Sequence, residues 1–257
     1  MTNPEKDQKG RDPEVLGKTA GAEEDARINL NGLPRYFVPT IAVLWSLFQL
    51  CVASWLILDT VFIRAIHLGF AILIVFLHYP LLKRPRLGIR FLWVRDRIPF
   101  LDCMIGLAAS LSAVYIVADY EGIALRYGAP IARDIVIGVI LIILILEASR
   151  RVIGPALPII ACLFSAYAFL GPYMPQMIAF KGVSLSRFIG QMTMSTEGIY
   201  GIPLDVSATI VFLFVLLGAM LNQAGAGEYF IRIALSLLGR FKGGPAKAAV
   251  LGSGLTG

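Results

Sequence analysis

Long apolar runs separated by short polar breaks fill this chain after residue 35. Tyr36 to Leu58 contains no charged residue, and Ala65 to Leu82 none apart from two histidines. Val152 to Phe180 and Val206 to Gly227 are also uncharged. A helix needs about 20 mostly apolar residues to cross the hydrocarbon core of a bilayer. A buried helix of a water-soluble protein seldom runs that far without a polar face. The runs place membrane spans at about 38–58, 62–80, 100–118, 131–149, 152–171 and 205–222. Asp59 and Thr60 close the first and Pro80 the second. Asp102 and Asp119 bound the third, Ile135–Leu146 is the centre of the fourth, and Gly154-Pro155 and Gly171-Pro172 bracket the fifth.

Two segments carry the helical period without the length. In 183–196, Leu185, Phe188, Ile189 and Met192 form one stripe, with Arg187 and Gln191 off it. In 228–240, Phe230, Ile233, Ala234, Leu237 and Leu238 repeat the pattern. Both read as short amphipathic helices at a membrane interface, with a packed core stripe as the alternative. The predicted fold class is an all-α integral membrane protein. It has about six transmembrane helices, two interfacial helices and the start of a re-entrant hairpin.

Composition strengthens this picture. Of 257 residues, 57% are hydrophobic and only 16% charged, against roughly a quarter charged in soluble domains. The net charge of +6 sits in the breaks, where basic residues orient a membrane protein, and not on one aromatic-rich surface suited to nucleic acid. With the N-terminus cytoplasmic, the tail, the 81–99 loop, the 147–151 link and the stretch after the last span hold 6, 6, 2 and 4 Lys/Arg, 18 in all, against 5 on the other side. Residues 1–35 are polar, lack a signal peptide, and read as a disordered cytosolic tail. Cys51, Cys103 and Cys162 each lie in an apolar stretch and form no CxxC.

No catalytic or metal-binding constellation is assembled in the sequence. His67 and His78 share a helix face but stand about 16 Å apart, too far to bind one metal, so packing or a hydrogen bond to a neighbouring helix is expected. Glu147 ends a very apolar run, with Arg150 and Arg151 three and four residues on. That spacing neutralises the carboxylate locally. A proton or ion relay is one reading. An anchored helix end is the one the pattern favours, so Glu147, Arg150 and Arg151 are taken as a structural anchor. Gly243-Gly244-Pro245 breaks a helix, and proline suits the first turn of the next. That next helix stacks Ala248, Gly252 and Thr256 on one face and Ala249, Ser253 and Gly257 on another. Small faces permit close packing, and interrupted helices form substrate and ion sites in secondary transporters. An ordinary, tightly packed helix is the alternative. On the transporter reading Gly243, Gly244, Pro245, Lys247 and Ser253 line a substrate or ion path. Carbonyls before Pro245 are free to face a cation, Lys247 stands near the cytoplasmic entrance, and Ser253 adds a hydroxyl.

Several of these stretches together resemble a known family. They are Phe48-Gln49-Leu50, Arg64-Ala65-Ile66-His67-Leu68-Gly69-Phe70, Phe76-Leu77-His78-Tyr79-Pro80, Leu146-Glu147-Ala148-Ser149-Arg150-Arg151, Ser195 to Leu204, and Gly243-Gly244-Pro245-Ala246-Lys247. Over about 40–257 the chain resembles the N-terminal part of the fused membrane subunit of a tripartite ATP-independent periplasmic (TRAP) transporter of the TAXI type. The resemblance implies a permease in the bacterial inner membrane, not an enzyme. It would be driven by an ion gradient, usually sodium, and supplied by a periplasmic solute-binding protein. It also implies a small four-helix domain over 36–151 acting as scaffold, and a large transport domain starting at 152. The family pattern runs on beyond Ser253, so the chain to Gly257 is expected to be a fragment lacking most of the sodium sites and the remainder of the permease. A membrane scaffold or assembly subunit with no transport path is the alternative. The solute itself is not legible.

Overall fold

The computed structural model describes residues 34–79, 100–126 and 128–225, with a few further positions up to 250. Every regular element among them is helical: α1 (Pro34–Ser54), α2 (Thr60–His78), α3 (Phe100–Ala118), α4 (Tyr120–Leu125), α5 (Ala132–Val152), α6 (Ala156–Leu170), α7 (Leu185–Thr193), α8 (Ile202–Val206) and α9 (Phe212–Gln223). A 3₁₀ turn follows α6, and a π-helical segment, Ser207–Val211, joins α8 to α9. Five helices among the described residues are long and apolar enough to cross a membrane: α1, α2, α3, α6 with its 3₁₀ turn, and the run from α8 through α9. In α5, 21 residues long, the apolar centre predicted as the fourth span lies between Arg133-Asp134 and Glu147, Arg150 and Arg151.

The span boundaries follow local chemistry. The third span coincides with α3. The first is displaced towards the N-terminus, because Trp55 and Leu56 N–H both turn back to Cys51 O. Asp59, expected to end that span, instead caps the next helix, accepting from Val61 N–H at 2.8 Å. The fifth begins later than expected. The preceding helix continues to Val152, and Gly154, with φ +105°, takes the left-handed conformation that ends it.

The core forms where small residues let helices meet. α3 packs along α2. A Cβ on Gly106 would lie 2.9 Å from Phe76 Cβ, and one on Gly69 3.0 Å from Val114 Cγ2. Ala65, Ala109 and Ala113 are fully buried in the same seam. α5 lies against α3, and α7 against α5. Gly138 makes the second contact possible, since a Cβ there would meet Ile189 Cγ2 at 2.4 Å and Thr193 Oγ1 at 2.6 Å. The amphipathic stripe of α7 is thus split: Ile189 is buried on α5, whereas Leu185 is half exposed. By contrast, α6 and α9 bury no residue among those described. The amphipathic helix expected over 228–240 lies mostly outside the described residues.

Candidate functional site

The residues proposed from sequence to line a path, Gly243, Gly244, Pro245, Lys247 and Ser253, lie outside the described residues. The described polar groups gather in three places along the bundle.

At the end of the bundle where α5 finishes, Glu147 receives both arginines expected to neutralise it. Arg150 donates to it at 2.7 and 2.8 Å, and Arg151 Nε donates at 2.9 Å. The two arginines differ in placement. The Arg150 side chain is 45% exposed, and that of Arg151 is 2% exposed. Arg151 turns into the bundle, where Nη1 donates to Asp102 on α3 and to Tyr79 O, each at 2.8 Å. Its guanidinium lies 4.3 Å from the Phe76 ring centroid. Asp102 marks a span boundary in the sequence and becomes a buried cross-helix ligand in the structure.

At the opposite end, Asp119 follows α3 and Asp134 stands in the first turn of α5. Asp134 accepts from Ile131 N–H and from Tyr115 Oη, satisfying a free donor at the start of α5. Arg126 Nη2 donates to Asp119 at 2.8 Å and lies 3.4 Å from Asp134. Arg133 also pairs with Asp119. The hydrogen bond from Arg126 holds the Asp119 carboxyl below the usual carboxylate range, and the same bond raises the guanidinium.

The third place is the seam between α2 and the start of the last described span. Arg64 Nε donates to Asp205 at 2.9 Å, and its Nη1 donates to Tyr200 O at 2.8 Å. Tyr200 is buried and donates to Ala113 O on α3 at 2.7 Å; burial raises its hydroxyl. One turn deeper, His67 Nδ1 is 3.3 Å from Trp45 Nε1 and 2.8 Å from Gln49 Nε2. Indole N–H and amide NH₂ are donors, so Nδ1 is the acceptor and the ring proton sits on Nε2, facing Ser207 Oγ at 3.5 Å. Gln49 Nε2 also donates to Ala208 O. The π geometry explains that second bond. Phe212 N–H reaches back five residues to Ser207 O, so Ala208 O lacks the donor an α-helix would give it. The Phe212 ring closes the site, 4.7 Å from Trp45 and 5.6 Å from His67, centroid to centroid.

This seam joins three stretches that are far apart in sequence: Phe48-Gln49-Leu50, Arg64 to Phe70, and Ser195 to Leu204 with the residues after it. Sequence reasoning missed the convergence. The available signal was polar residues inside apolar spans, Gln49 and His67 above all. The expectation that His67 bonds to a neighbouring helix agrees with the structure. Among the described residues no group of three His, Cys, Asp or Glu could hold a metal ion.

Residues 140–257, a little under half of the chain, match the family described as tripartite ATP-independent periplasmic transporter, DctM component. No curated protein and no solved structure matches. Over that segment the chain is similar to the membrane component of TRAP transporters, a transport component and not an enzyme.

Proposed function

We propose that this chain is a TRAP transporter membrane subunit, the permease of an ion-gradient-driven secondary transporter, importing a small organic solute delivered by a periplasmic solute-binding protein. Sodium is the coupling ion. The observation that carries this reading is the family match, which starts within α5 and takes in α6 to α9 and the stretch from Gly243 to Ser253. The chain crosses the bacterial inner membrane six times, α5 included, with its N-terminus cytoplasmic; the 18-to-5 split of Lys and Arg supports that orientation. It belongs to the TAXI type. Residues 36–151 act as scaffold, a role to which the paired charges at both ends of α3 and α5 are suited. The transport elements begin at 152, and the path passes Gly243, Gly244 and Pro245. The seam at His67 is where the scaffold grips the first of those elements.

The test is uptake by proteoliposomes holding the full gene product, with its binding protein and the solute that co-purifies with that protein. Uptake is expected under an inward sodium gradient and lost when the gradient is collapsed. Gly244→Val should abolish it while leaving insertion intact. Uptake indifferent to sodium or to the binding protein overturns the reading. Correct insertion with no uptake favours a non-transporting scaffold, the alternative supported by the pairing of the described intramembrane charges with one another.

A further inference from the structure

Between α6 and α7 the chain makes a hook. Phe180 N–H returns to Gly171 O at 3.2 Å, Val183 N–H to Ala168 O at 3.0 Å, and Tyr167 Oη donates to Ile178 O at 3.1 Å. The Phe180 ring lies on Gly171, where a Cβ would meet it at 2.7 Å, and Gly182 turns the chain towards α7 at φ +73°. These contacts give the hook a fixed shape, yet the side chains it turns outward are apolar. Tyr173, Met177 and Ile178 are 86%, 97% and 51% exposed. The span through α6 already ends at Tyr173, and the chain stays uncharged from there to Phe180.

Contacts with α7 fix the depth of the hook when α5 and α6 cross the bilayer side by side, as in the six-span topology. Phe188 packs on Phe169 of α6, ring centroids 4.9 Å apart, and its neighbour Ile189 meets Gly138 of α5. Phe169 and Gly138 therefore stand at about one level. At about 1.5 Å of rise per residue, Gly138 is about 6 Å deeper than Asp134, and Gly171 is about 3 Å nearer the surface than Phe169. The limb bonded to Gly171 and Ala168 thus returns to the level of the Asp134 carboxylate or below it, where apolar span gives way to charge. Pro172 and Pro175 have no N–H, and Met174, Ile178, Phe180 and Val183 give theirs to backbone carbonyls, which lowers the cost of leaving water. Lys181, exposed at the end of the uncharged run, can extend to headgroup phosphates. We propose that residues 171–183 are an interfacial anchor. Tyr173, Met177 and Ile178 sit in the headgroup–acyl boundary of the bilayer, covered by lipid and not by a protein partner.

The test places a fluorophore on Met177→Cys in the full chain, with Cys51, Cys103 and Cys162 replaced by alanine, in nanodiscs whose two faces are both open to solvent. Ile143→Cys, on the exposed face of α5, is the reference for the bilayer interior. On Met177→Cys, lipids brominated near the headgroup should quench more than lipids brominated at the chain ends. Aqueous iodide should quench far less there than in the denatured chain. On Ile143→Cys the order of the two brominated lipids should reverse. Full iodide quenching on Met177→Cys, with lipid quenching on Ile143→Cys, overturns the anchor and leaves the six-span topology standing. No lipid quenching on Ile143→Cys overturns that topology and the placement of the hook with it. Protection of Met177→Cys that appears only when the solute-binding protein is added assigns the surface to that partner and also overturns the lipid anchor.

Discussion

Replacing Asp102 with alanine removes the carboxylate that faces Arg151 across the α3–α5 seam. Their side chains are 3% and 2% exposed, so the arginine left behind cannot reach water without moving helices. It would keep Glu147 at 2.9 Å and Tyr79 O at 2.8 Å. The cluster of two carboxylates and two guanidiniums would nevertheless gain an uncompensated positive charge in a desolvated place. Breaking a buried pair from one side costs about 3–5 kcal/mol. The surviving Glu147 contact puts this case at the low end, about 3 kcal/mol, more than a hundredfold in the folding equilibrium. Glu147→Gln should be milder, about 1 kcal/mol or less. Glu147 is 23% exposed, Arg150 can turn to solvent, and Arg151 retains Asp102. Denaturant unfolding in mixed micelles, with the yield of inserted protein, measures both. The double variant Asp102→Leu with Arg151→Met should recover much of the loss, since a buried pair replaced by apolar groups is often neutral. A cost below about 1 kcal/mol for Asp102→Ala, or equal costs for Asp102→Ala and Glu147→Gln, would refute the view that Arg151 depends on Asp102.

Gly138→Leu should dislodge α7, because even its Cβ meets Ile189 and Thr193 of that helix; a cysteine reporter at Leu185 would gain reactivity while α2 and α3 stay paired. Tyr200→Phe should lower thermal stability by about 1–2 kcal/mol, as Ala113 O loses its buried donor; an unchanged melting curve would mean that this bond is not formed in the membrane. Reporter fusions after residues 90 and 125 should report opposite sides, and two cytoplasmic readings would dismantle the six-span topology.

Much of the fold was legible because one physical quantity, the length of uncharged sequence, dictates membrane helices. The third span appears where expected because aspartates flank it. The first is misplaced because Asp59 can end one helix or start another, and only the backbone decides. The Glu147 contacts were legible because they are i,i+3 and i,i+4 pairs within one helix. Asp102 with Arg151, and Arg64 with Asp205, were not. Those partners are brought together by helix packing, and no local spacing encodes it. The π segment was invisible for a related reason. Ser207–Val211 reads as ordinary apolar helix until a partner such as Gln49 is present to take up Ala208 O.

The ionic groups at the two ends of α5 also make that helix a gauge of bilayer thickness. Asp134 lies in its first turn and Arg151 in its last; at about 1.5 Å of rise per residue they stand about 25 Å apart. A typical hydrocarbon core is about 30 Å thick. Both ends are tied to α3 or to the connection leading from it, so α5 cannot lengthen its apolar reach by sliding or fraying. In the six-span arrangement the lipid beside Val136, Ile140 and Ile143, its exposed face, must thin to match. The hydrophobic mismatch favours residence in thin membranes and grows, by fractions of a kcal/mol per Å, in thicker ones.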